Sequence, residues 1–192
     1  MSAQPGSAAE RDSATVTLVG LRCAGKTAVG RALAAALGRP FVDLDQVLAE
    51  RWAGSSGAER VPPVGAVLER VGLAVFRDLE EAELALRLQG DGTLVLATGG
   101  GCVEREASRA RLARTRCFWL DASAEELARR RAADPTPRPP LTDGDATAEA
   151  AELALRRAPW YEAVAEARIA TGGRTVDEVV DAIRTRLEAS DV

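Results

Sequence analysis

A chain of 192 residues with 46% hydrophobic and 28% charged side chains has the balance of a single globular α/β-sized domain. It contains no histidine, which excludes Ser-His-Asp and Cys-His nucleophilic catalysis and histidine-ligated metal or haem sites. A net charge of -4 argues against a nucleic-acid binder and no apolar run of about 18 residues offers a membrane span, while three cysteines without CxxC spacing point to a reducing cytoplasm.

In chain order, Met1 to Ser13 is small, polar and of mixed charge, and is predicted to be a disordered tail ahead of one domain over residues 14–192. Thr15 to Val19 reads as a buried parallel strand ending at Gly20. A helix is predicted from Lys26 to Leu37, stopped by Gly38, then a strand over Phe41 to Leu44 and a helix to about Trp52. Ser55 to Val64 reads as a turn-rich insertion, and helical periodicity resumes from Gly65 to Gln89 with a break near Gly72. Thr93 to Ala97 is a third strand, Glu104 to Arg114 a helix and Arg116 to Leu120 a fourth strand. Ser123 with Glu126 three residues on forms a capping box for the next helix. Asp134 to Asp145 is a Pro/Gly-rich loop. A helix over Thr147 to Ala167, a short strand over Ile169 to Thr171 and a helix over Val176 to Leu187 complete the chain. Strands alternating with helices imply an α/β fold, a parallel sheet covered on both faces.

The strongest motif is Gly20-Leu21-Arg22-Cys23-Ala24-Gly25-Lys26-Thr27, a G-x-x-x-x-G-K-T loop between a strand and a helix. Its backbone N–H groups can cradle phosphates at a helix N-terminus, so ATP phosphates are expected against Gly20, Cys23, Ala24, Gly25, Lys26, Thr27 and Ala28. Lys26 can reach the β- and γ-phosphates, and the Thr27 hydroxyl can join Mg²⁺. Of the 25 basic residues, Lys26 is the one lysine, in a chain that otherwise uses arginine throughout. Without an NKxD-like guanine motif or an Asp-Glu pair closing an apolar strand, a small-metabolite kinase is favoured over a GTPase or a motor.

Three further groups carry chemistry. Asp43 and Asp45 fall at the carboxyl end of the second strand, one suited to the Mg²⁺ shell through water and the other to an acceptor hydroxyl; either could instead cap a helix. Gly99-Gly100-Gly101 gives a ligand room against exposed N–H groups, or is a plain turn. Arg77, Arg131, Arg138 and Arg157 could bind carboxylate or phosphate, although spacing alone does not separate them from solvated arginines.

The ordered set GLRCAGKT, FVDLD, FRDLE, TGGG, the RPP-L loop and R-x-P-W-Y resembles the shikimate kinase family from about Thr15 to Leu187. The resemblance implies a three-layer P-loop kinase fold with a five-stranded parallel sheet, related to nucleoside monophosphate kinases. It implies Mg-ATP-dependent phosphorylation of the shikimate 3-hydroxyl on the route to aromatic amino acids. Lys26 and Thr27 would take phosphates and metal, with Asp43 assisting the metal, and Asp45 would hold the acceptor hydroxyls as candidate base. Arg77 and Arg157 would clamp the substrate carboxylate beside Gly99, Gly100 and Gly101. Arg138 would move in on a lid over about 131–146, Arg131 would stack on adenine, and Arg174 falls at the adenine loop. The acceptor region would be about 44–90, and the enzyme would be a cytoplasmic monomer without nucleic-acid or membrane partners. A gluconate-type kinase and a non-catalytic sensing module are the alternatives. Leu73, Pro140 and Trp160 depart from the family pattern near the acceptor pocket, with Leu73 and Trp160 read as core side chains, and Cys23 is unusual within the loop.

Overall fold

The computed structural model describes residues 15–89, 93–133 and 146–189. Its five strands are β1 (Val16–Val19), β2 (Phe41–Asp43), β3 (Val95–Ala97), β4 (Arg116–Asp121) and β5 (Ala167–Ala170). They form one sheet in the order β2-β3-β1-β4-β5, with every neighbouring pair parallel. Among the described residues the connections are α1 (Lys26–Leu37), α2 (Leu44–Ser56), α3 (Val64–Val71), α4 (Leu73–Arg87), α5 (Glu106–Leu112), α6 (Ala124–Ala133), α7 (Ala146–Val164) and α8 (Val176–Ala189), plus a 3₁₀ turn at Cys102–Glu104. The α1 helix packs against α8, and α7 packs against α5 and α6, so the sheet is covered by two separate helical groups.

The strand sequences explain the centre of the molecule. VTLV, VLA and RCFWL are almost unbroken apolar runs, as required of strands covered on both faces. Leu18, Leu96, Phe118 and Leu120 are fully buried there. The order of the strands reverses at β1: β3 and β2 lie on one side of it, β4 and β5 on the other. In open α/β sheets such a reversal opens a crevice at the carboxyl ends of the strands. The loop after β1, the end of β2 and the glycine turn after β3 all face that crevice.

Several boundaries differ from those predicted. The α2 helix runs on through Ser56 to a left-handed Gly57, so the turn-rich insertion shortens to about 57–63 before Pro63 caps α3. The segment expected as one helix from Glu104 divides into the 3₁₀ turn and α5, with Arg105 extended between them. The α7 helix stops at Val164 because the Glu166 N–H is already bonded to the Cys117 carbonyl, which draws the chain alongside β4. Leu73 is not core: it stands 51% exposed on the first turn of α4, clear of the buried Phe76, Glu80 and Leu84. Trp160 is half-buried against the core, under the Arg109 guanidinium. The predicted N-terminal tail and the Asp134 to Asp145 loop, with Arg138 and Pro140, lie outside the described residues.

Gly20 is where β1 turns into the phosphate loop. Its φ of 140° is closed to most side chains, and a Cβ there would lie 2.2 Å from the Leu120 carbonyl oxygen. Because that oxygen is backbone of the central sheet, it cannot move aside. Gly20→Ala should therefore cost about 2–4 kcal/mol, read as a lowered urea midpoint with an unchanged slope.

Candidate active site

At the carboxyl edge of the sheet a cavity of about 390 Å³ collects the phosphate loop, both aspartates, the glycine turn, Arg77 and Arg157. The loop is shaped by two left-handed residues, Gly25 (φ 97°) and Cys23 (φ 64°), the latter among the described residues the one non-glycine with positive φ. Lys26 opens α1 and is nearly buried. Its Nζ donates to the carbonyls of Gly20 and Leu21 at 2.8 Å each, so the amine is folded back over its own loop. Burial pulls its pKa down to about 8, against the opposing pull of Asp45 and Asp43.

Asp43 caps a helix and at the same time bonds the Thr27 hydroxyl. Its Oδ1 caps α2 by accepting from the Asp45 and Gln46 N–H groups, at 3.1 and 3.4 Å. Its Oδ2 accepts from the Thr27 hydroxyl at 2.6 Å. A hydroxyl and a carboxylate held together at the mouth of a phosphate loop are hard oxygen donors of the kind Mg²⁺ takes while keeping water and phosphate oxygens as its other ligands. Among the described residues no group of three or more acidic or thiol side chains forms a protein-only metal cage. The donor set thus fits a metal that arrives with a nucleotide.

Asp45 follows on the first turn of α2 and lines the cavity. A Cβ at Gly99 would meet Glu80 Oε1 at 2.2 Å and Asp45 Oδ1 at 2.8 Å, so both carboxyl groups flank the same point above that glycine. Burial raises Glu80 to about 7 despite its ion pair with Arg77, and Asp45 adds to the rise. Its Oε1 is buried without a hydrogen-bond partner. Glu80 is thus a further carboxyl of the site.

The two arginines converge on the glycine turn from different helices. Arg77 (α4) donates from Nη1 to Glu80 at 2.9 Å and from Nε to Glu104 at 3.0 Å. Its Nη2 is turned to Gly101, where a Cβ would sit 1.7 Å away. Arg157 (α7) donates from Nε and Nη2 to Glu104 and turns Nη1 towards Gly100, 3.6 Å from where a Cβ would lie. The buried Tyr161 hydroxyl donates to the Gly100 carbonyl at 2.5 Å, fixing the turn from below. Gly99, Gly100 and Gly101 are therefore a close-packed platform and not a loose turn.

Near the nucleotide end a further arginine enters the site. Arg130, not its neighbour Arg131, lines the cavity. It reaches from α6 to the carbonyls of Cys23 and Thr171 and to the Thr171 hydroxyl, with Glu126 holding its Nε. Arg131 is half-buried and Arg174 exposed, and neither lines the cavity. Leu73 and Trp160 do not line it either. Arg130 and Glu104 escaped the sequence reading because each is one of many like residues and lies far along the chain from its partners.

A parallel sheet with a phosphate loop at its reversal point, a hydroxyl–carboxylate pair and paired guanidiniums defines a P-loop phosphotransferase for a small anionic acceptor. The family model for shikimate kinase matches residues 22–188. A shikimate kinase of Symbiobacterium thermophilum is 41% identical over 90% of this chain and 95% of its own, and one of Corynebacterium glutamicum 38% identical over 90% and 96%. The structure of the Acinetobacter baumannii shikimate kinase in complex with shikimate superposes with a TM-score of 0.80 at 30% identity, covering 92% of this chain and 94% of that one. The chain belongs to the shikimate kinase family. A gluconokinase from Sinorhizobium meliloti, at 17% identity and a TM-score of 0.59, shares the fold.

Proposed function

We propose that this chain transfers the γ-phosphoryl group of ATP to the 3-hydroxyl of shikimate, giving shikimate 3-phosphate and ADP in the cytoplasm. The observation that carries this reading is the single cavity that joins Lys26 and Thr27 to Asp45 and to two guanidiniums aimed at a glycine platform. It offers a triphosphate cradle, an acceptor for a hydroxyl proton and a bidentate carboxylate site, which are the three features of ATP and a hydroxylated acid.

The reaction needs positioning and charge neutralisation more than covalent help. The loop N–H groups from Gly20 through Ala28 hold the phosphates while Lys26 leaves its carbonyl partners for them. Thr27 and, through water, Asp43 would hold Mg²⁺, which would supply positive charge to neutralise the phosphates. Arg77 and Arg157 fix the shikimate carboxylate against the N–H groups of Gly100 and Gly101. Asp45 accepts a hydrogen bond from the reacting hydroxyl and takes its proton as oxygen bonds to phosphorus; the bond from the γ-phosphorus to the β–γ bridging oxygen breaks and ADP departs. Arg138 supplies positive charge to the transferring group, and Arg131 and Arg174, which lie outside the cavity that takes the phosphates, contact the adenine beyond it.

The test is ADP release with Mg-ATP and a panel of acceptors: shikimate, quinate, gluconate and nucleoside monophosphates. Turnover on shikimate far above all others is expected. Preferred turnover on gluconate would move the reading to that kinase class, and ATP binding without turnover on any acceptor would make the chain a sensor.

A further inference from the structure

Glu104 does not line the cavity but holds both of the arginines that do so beside the glycine turn, and the reaction above gives it no role. It sits at the end of the 3₁₀ turn, three residues beyond the glycine platform. Three arginines reach it. Arg77 donates to Oε2 at 3.0 Å, while Arg157 (3.0 and 2.7 Å) and Arg156 (2.7 Å) donate to Oε1. Arg77 and Arg157 are nearly buried and Glu104 is 17% exposed at its side chain, so these ion pairs are poorly screened. Although burial opposes ionisation, the Arg157 and Arg77 guanidiniums hold Glu104 down at about 2, and it is an anion at any working pH.

The direction of those bonds is informative. Arg157 spends Nε and Nη2 on Glu104, and Arg77 spends Nε on Glu104 and Nη1 on Glu80. What remains of each fork, Nη1 of Arg157 and Nη2 of Arg77, faces Gly100 and Gly101. Two guanidiniums this close repel each other, and long arginine side chains have many rotamers to lose. A carboxylate bonded to both removes both obstacles before any ligand arrives.

We propose that Glu104 is a positioning residue that presets Arg77 and Arg157 to receive the acceptor's carboxylate. This rests on the reading that those arginines bind that carboxylate. It makes recognition of the acceptor depend on a residue that touches none of it, through contacts 27 and 53 positions away in sequence. Arg156, half-exposed on the same oxygen, closes the cluster towards solvent.

The experiment compares wild type with Glu104→Gln, isosteric but neutral, on shikimate and on its methyl ester, which keeps every hydroxyl and lacks the anion. For the variant, KM for shikimate should rise about tenfold, with kcat and the ATP dissociation constant within about twofold of wild type. On the ester the two enzymes should have the same KM, because the preset pair then has no anion to bind. ATP affinity also reports that the variant is folded. Equal KM increases on acid and ester, or a parallel loss of kcat and ATP affinity, would make Glu104 a structural prop and overturn the proposal. A fall in KM for shikimate would overturn it too, since Glu104 would then be a competitor occupying the carboxylate's place. If wild type itself does not distinguish acid from ester, the arginine reading fails first and the proposal with it.

Discussion

Replacing Lys26 by alanine is expected to lower kcat by about 10³-fold, the scale of losing one preorganised cationic or hydrogen-bonding partner of a developing anion. Its Nζ rests on the Gly20 and Leu21 carbonyls, within the same cavity as Thr27, and needs only a side-chain rotation to meet a phosphate. Arginine should not rescue it, because a planar fork cannot occupy the space a compact ammonium fills between two carbonyls. The amine's depressed pKa of about 8 adds a second readout. An arriving triphosphate favours the ammonium form, so at pH 8.5 to 9 binding should take up a proton, and affinity should weaken as pH rises through 8. Calorimetry in two buffers of different ionisation enthalpy measures that uptake. Wild-type turnover in Lys26→Ala, or no proton uptake in the wild type, would remove Lys26 from the phosphates.

Asp45→Asn is expected to reduce kcat by about 10²–10³-fold while KM for shikimate and the ATP dissociation constant stay close to wild type. The amide keeps the shape and can still hydrogen-bond a hydroxyl, but it cannot take the proton. Asp45 does not itself cap α2; Asp43 does, so the helix survives the change. Steady-state kinetics at saturating ATP separate the two parameters. If kcat were preserved, deprotonation would be carried elsewhere, with Glu80 beside the same glycine the next candidate.

Legibility in the sequence followed the range of the physics involved. The phosphate loop could be read directly because its chemistry is local: a strand, eight residues and a helix contain every atom that matters. The five strands and most helices were visible for a similar reason, since apolar runs and caps act over a turn or two. Leu73 was misjudged because a helix's period says which face is apolar, not how far along the core extends. Arg77 and Arg157 could be picked from 24 arginines only by resemblance. Nothing in their spacing tells that α4, the turn after β3 and α7 meet. For the same reason Glu104 and Arg130 became visible only when the fold brought distant segments together.

The solitary buried amine of Lys26 makes this protein a single-channel chemical reporter. Guanidiniums resist acylating reagents at moderate pH, so apart from the chain's α-amino group the ε-amine inventory is one atom, and it lines the phosphate cavity. A depressed pKa leaves more of it in the nucleophilic form near pH 8 than an ordinary surface lysine offers. Any reagent small enough to enter counts empty sites, without mutagenesis or a purpose-built tag. The arginine-for-lysine habit of the sequence has thus left the phosphate loop's amine chemically alone.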